Sequence, residues 1–134
     1  SGDITSIEQG LALALQRGAI SAQRLAVSVP LHSPLMKSIK GTVHAFISDI
    51  AIHPPRTPVV SHWSGKPLSN PDEIRDFLVE ELCRPVDWEG SVQYLLAQDV
   101  TCFVEMGPSD TLTKLIRWID RDVKALSYGV HDAV

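Results

Sequence analysis

The apolar positions of the chain repeat with two different periods. Over residues 5–17 the spacing is helical, with Ile7, Leu11, Ala14 and Leu15 on one stripe. Thr5 and Glu8 have capping-box spacing and Gly18 follows as a stop, so the pattern predicts a helix there. Residues 24–29, "RLAVSV", alternate instead, with Leu25, Val27 and Val29 on one side, which predicts a short strand. Helical spacing returns at Leu35, Ile39, Val43, Phe46 and Ile50, with Ser33 in the cap position and Pro34 at the first helical position.

The prolines of "HPPRTP" break that helix, and "PVVSHW" (58–63) reads as a second strand before the turn-forming Ser64-Gly65. Asn70, Pro71 and Glu73 open a third helix, striped by Ile74, Phe77, Leu78 and Leu82. Trp88, Val92, Leu95 and Leu96 carry a fourth. The mostly apolar "VTCFVE" (100–105) predicts a strand ending at "MGPSD", where Ser109 or Asp110 caps a fifth helix through Leu112, Leu115, Ile116 and Ile119. "VKALSY" closes the pattern as a strand. Helices alternating with short apolar strands predict an α/β fold, a parallel sheet covered on both faces.

The chain has 134 residues, of which 44% are hydrophobic and 21% charged, a balance that suits one folded domain with a core. No apolar stretch approaches the roughly 18 residues of a membrane span, and no charged-then-apolar signal segment opens the chain. Twelve basic against sixteen acidic residues leave a net charge of −4, which supplies no basic face for nucleic acid. The expected partners therefore include neither nucleic acid nor membrane. Cys83 and Cys102 lack any CxxC or Cys/His metal spacing, so no metal site is expected. They read as reduced, buried thiols of an intracellular, cytoplasmic protein.

In a parallel α/β sheet, ligands sit outside the carboxyl ends of the strands. His32 follows a predicted strand and precedes a predicted helix, so it falls on that rim; Ser61-His62 and Met106-Gly107 fall at equivalent strand ends. A histidine in such a place is either an ordinary hydrogen-bonded surface residue or a base. A helix starting at Pro34 would set its positive end beside the imidazole and favour the neutral form, which can accept a hydroxyl proton. His62 sits in a polar loop beside Trp63, while His44, His53 and His131 read as helix-face, loop and tail residues. Glu105, ahead of Met106-Gly107-Pro108, is either catalytic or, more simply, a carboxylate that binds backbone amides. No GxSxG, HExxH, P-loop or GxGxxG motif occurs, so the residues offer a base without a nucleophile.

Four motifs taken together go further. "LAVSVPLHSPLM", "PVVSHWSG", "IRDFLVEELCRPVDWEGSVQYLL" and "FVEMGPSDTLTKLI" resemble, in order and spacing, the C-terminal part of malonyl-CoA:acyl-carrier-protein transacylases and polyketide synthase acyltransferase domains. The resemblance runs nearly end to end. It implies an α/β-hydrolase-like large subdomain with a ferredoxin-like small insertion: residues 1–29 would end the small subdomain and 30–134 would form the C-terminal part of the large one.

It also implies a Ser-His dyad. The serine, in a GHSxG elbow, takes an acyl group from the coenzyme A thioester and passes it to the phosphopantetheine thiol of an acyl carrier protein. The base of the "VPxHS" motif aligns with His32. The elbow serine, the first oxyanion-hole segment and the malonyl-binding arginine belong to the family's N-terminal part and have no counterpart in these residues. That part is thus an expected partner, alongside acyl carrier protein and malonyl-CoA, and the chain alone is expected to be inactive. No permanently bound cofactor is implied.

Three further expectations come from the resemblance. The four residues ending in the histidine, Val29-Pro30-Leu31-His32, lean towards malonyl as the acyl unit, with Leu31 where a small residue is common. His62 lies in a substrate-facing loop, in "SHWSG" where the family has "SNVTG". The family motif "VRQLxxPVxW" corresponds to residues 79–88 and sets the backbone carbonyl of Glu81 as the acceptor that orients His32. Two other roles remain open from sequence: a remnant acyltransferase kept as a docking module, and an acyl hydrolase on the same fold.

Overall fold

A computed structural model describes residues 2–129. They form five α-helices, one 3₁₀ helix and four strands. Two compact units emerge: one runs to Thr57 and takes in Ser69–Val86, the other comprises Pro58–Leu68 and Asp87 onward.

The first unit opens with α1, Ile4–Gln16. Its cap is Asp3 and not the Thr5–Glu8 box: the Asp3 carboxylate accepts from the Ser6 amide at 2.9 Å and from the Ser6 hydroxyl at 2.6 Å. A carboxylate two residues earlier satisfies an orphan amide of the first turn and adds favourable charge at the helix start. Gly18 ends the helix with φ 92°, a backbone conformation only glycine adopts without strain.

Residues 24–29 form no strand. Their alternation is real, but a strand exists only as part of a ladder, and no described strand pairs with them. Leu25, Val27 and Val29 consequently stand 69%, 64% and 47% exposed.

The segment after Pro34 begins as a 3₁₀ helix, Pro34–Ile39, and becomes α2, Lys40–Ser48. Ser33 does not cap it through its side chain, because its hydroxyl donates to the Pro30 carbonyl oxygen at 2.7 Å. Helix α3, Pro71–Glu80, starts as expected: Asn70 accepts from the Glu73 amide at 2.9 Å and Pro71 occupies the first position. The two helices pack together, and Met36, Ile47 and Val79 are the buried apolar residues of this unit. The Arg75 guanidinium donates to the Ile47 carbonyl oxygen at 3.1 Å, closing the end of α2 against α3.

In the second unit the 58–63 strand is cut to β1, Val59–Val60, which pairs antiparallel with β2, Pro67–Leu68. Ser61 and Lys66 close this hairpin (2.9 Å), and the Gly65 amide bonds the Ser61 oxygen at 3.0 Å. Helix α4, Trp88–Leu96, is capped by Asp87, whose carboxylate accepts from Gly90. Strand β3 (Cys102–Met106), helix α5 (Thr111–Ile119) and strand β4 (Lys124–Tyr128) then make a parallel β–α–β unit. Its core is Val92, Ile116 and Ala125, with Trp88, Leu96, Phe103, Ile119 and Val123 packed around them.

The expectation of a sheet covered on both faces is met on one side only. Phe103, Glu105, Ala125 and Ser127 face the helices. On the other face the register pairs Val104 with Leu126 and Met106 with Tyr128, and all four are exposed, Met106 by 72%. Among the described residues each sheet has just two strands. No described helix is long and apolar enough to cross a membrane.

Candidate active site

His32 stands in a short stretch whose backbone is dictated by its neighbours. Ser33 precedes a proline, which disfavours helical angles, and it is extended at φ −141°, ψ 159°. His32 itself has φ 58°, in the left-handed region that costs a residue with a Cβ roughly 1–2 kcal/mol. Local bonds hold the turn: the Leu31 amide donates to the Val29 oxygen at 2.9 Å, and the Ser33 hydroxyl to Pro30. Nothing in the letter "H" signals a positive φ, so this feature was not legible in the sequence. Strain of this kind collects where side-chain direction matters.

The turn brings His32 against the end of α3. Nδ1 of His32 lies 2.9 Å from the Glu81 carbonyl oxygen, and the Ser33 amide donates to the Leu82 oxygen at 3.3 Å. Glu81 caps α3, so its carbonyl has no helical partner beyond a 3.4 Å approach from the Arg84 amide. A carbonyl can only accept. Nδ1 is thus the ring nitrogen that carries a proton in this contact. The helix end against the ring is the carboxyl end of α3, which presents partial negative charge. The amino end expected at Pro34 belongs to a 3₁₀ segment.

The remaining expected residues divide between the two units. Leu31 is 40% exposed next to His32. His62 lies in the other unit, in the β1–β2 turn, where its carbonyl oxygen accepts from the Asp87 amide at 2.6 Å. Among the described residues no group of three or more His, Cys, Asp or Glu side chains could hold a metal ion. His131 lies outside the described residues.

Glu105 takes the simpler of its two roles. Its carboxylate accepts from the Thr113 amide at 2.8 Å and from the Ser109 hydroxyl at 2.9 Å. Burial pushes its carboxyl up, but those bonds outweigh it and hold the group below the usual carboxylate range. Glu105 thus caps α5 from the preceding strand; of the two expected caps, Ser109 donates to Glu105 and Asp110 pairs with Lys114 at 2.9 Å. The sequence hid one more feature: Glu80, on the last turn of α3, pairs with Lys40 and, at 3.5 Å, with Arg84.

No protein-family model matches the chain. Individual relatives do. It is 33% identical over 127 residues to the malonyl CoA-acyl carrier protein transacylase of Bacillus subtilis, covering 95% of this chain and 40% of that one. The Escherichia coli transacylase is 38% identical over 119 residues, covering 89% and 38%. Among solved structures, the malonyl-CoA:acyl carrier protein transacylase of Xanthomonas oryzae matches with a TM-score of 0.87 and 37% identity over 94% of this chain and 40% of that one. A type II polyketide acyl-carrier protein in complex with its malonyl-transacylase matches with a TM-score of 0.91 and 31% identity, over 96% and 41%.

In fold this is an α/β chain like the solved malonyl transacylases. Over about nine-tenths of its own length it is similar to malonyl-CoA:acyl-carrier-protein transacylases. It spans about 40% of the length of the relatives it matches.

Proposed function

We propose that this chain is the base-bearing part of a malonyl-CoA:acyl-carrier-protein acyltransferase. The observation that carries the reading is the 2.9 Å contact between His32 Nδ1 and the Glu81 oxygen, which leaves Nε2 as the proton acceptor. In this reading His32 removes the proton of a serine hydroxyl that lies outside these residues. The hydroxyl oxygen attacks the malonyl thioester carbonyl and coenzyme A leaves as its thiol, taking the proton back from His32. The phosphopantetheine thiol of a carrier protein then attacks the acyl-serine, with the same imidazole relaying the proton.

Residues 1–29 end the ferredoxin-like subdomain and 30–134 form the C-terminal part of the large subdomain. Leu31 borders the acyl group and His62 lines the substrate loop. The N-terminal part of the same domain supplies the serine and covers the open face of β3–β4, where Val104, Met106, Leu126 and Tyr128 are exposed. The protein works in the cytoplasm, on malonyl-CoA and acyl carrier protein, with no resident cofactor.

Intact mass spectrometry tests this reading. The parent protein bearing both parts, mixed with malonyl-CoA and holo carrier, should gain one malonyl group and pass it to the carrier. Release of free malonate without malonyl-carrier would identify a hydrolase instead. No acylation at all would leave a docking module.

A further inference from the structure

The contact between His32 and Glu81 depends on where a helix end points, and helix ends fray. Three consecutive residues of that end are tied to the segment that carries His32. Glu81 receives the imidazole, Leu82 receives the Ser33 amide, and Glu80 receives Lys40, the first residue of α2. The Glu80 carboxylate is held from two sides, Lys40 on Oε1 and the Arg84 guanidinium on Oε2 at 3.5 Å. Lys40 and Glu80 are forty residues apart in sequence, so their pairing fixes the start of α2 against the end of α3.

We infer that Lys40 and Glu80 are positioning residues, a clamp that holds the Glu81 carbonyl oxygen on His32. The inference deepens the reading of His32 as a base. The pair is about one-third exposed (28% and 35%), and pairs this accessible add little to global stability. Breaking it therefore acts on the direction of the carbonyl and leaves the fold in place. The ion pair persists at neutral pH: the Lys40 contact, opposed by burial and reinforced by Arg84, holds the Glu80 carboxyl below the usual range.

The clamp has a readout that a merely structural pair would not move. Nitrogen-15 NMR of the imidazoles, with His32 assigned by its loss in His32→Ala, reports which ring nitrogen is protonated. Wild type should show the Nδ1–H tautomer. Lys40→Met and Glu80→Gln should each mix the tautomers while the melting temperature stays put, and the conservative Lys40→Arg should keep the wild-type spectrum. In the complete enzyme the first two variants should lose roughly 3–10-fold in kcat with KM unchanged, short of the ~10²-fold that a 1 Å misplacement costs.

Wild-type ring spectra in both Lys40→Met and Glu80→Gln would overturn the clamp. Should His32→Ala retain full turnover, the base assignment falls, while the ring spectra still decide the clamp.

Discussion

His32 and Glu81 meet across forty-nine residues, an imidazole Nδ1 donating to a main-chain oxygen at 2.9 Å. The acceptor is main chain, so the side chain of residue 81 matters less than the place where α3 stops. Glu81→Gln should leave both the His32 ring spectrum and the acylation rate at wild-type levels. Deleting Arg84 should damage both, because the Arg84 amide approaches the Glu80 and Glu81 oxygens and its side chain braces Glu80. Ring NMR and coenzyme A release on the two variants check this. Equal behaviour of the pair would mean that the helix end does not orient the base.

Glu105 predicts a pH dependence of stability. Its carboxyl is lowered in the folded chain relative to the unfolded one, so it binds its proton more weakly when folded. Its contribution is then complete above the ordinary carboxylate range and is lost as pH falls through the lowered folded value. Urea denaturation at a series of pH values should show stability falling below about pH 4.5. In Glu105→Gln the slope should be shallower in that window. An unchanged slope would show that the carboxylate is not what Thr113 and Ser109 hold.

Much of this architecture was legible in the residues. The stripe Leu112, Leu115, Ile116 and Ile119 marks α5, and Asn70-Pro71 marks the start of α3, because caps and periodicity are local physics. The strand-end position of Glu105 beside Gly107-Pro108 pointed to its amide-binding role. Leu25, Val27 and Val29 show where local reading stops: alternation says which side chains share a face and nothing about whether a neighbouring strand exists to complete the ladder. The left-handed φ of His32 and the Lys40–Glu80 pair were hidden for a related reason. The pair joins residues forty apart in sequence, the φ belongs to a turn whose handedness no residue pattern announces, and neither leaves a periodic trace.

The open face of β3–β4 predicts association. Val104, Met106, Leu126 and Tyr128 present contiguous apolar surface on a two-stranded sheet, and exposed patches with unpaired strand edges recruit partners. Sedimentation velocity of the chain alone should show weight-average mass rising with concentration. Met106→Lys combined with Leu126→Lys should suppress the rise. A concentration-independent monomer that binds no apolar dye would argue that this face needs no cover.

The role of His32 as a base is tested most directly by the first chemical step. Stopped-flow release of free coenzyme A from malonyl-CoA, measured on the complete enzyme, isolates serine acylation from transfer to the carrier. Removing a positioned general base typically costs 10²–10⁴-fold, so His32→Ala should slow the burst by about that factor while malonyl-CoA still binds. A His32→Ala burst at the wild-type rate would contradict the account and leave the imidazole as a structural ligand of the α3 end.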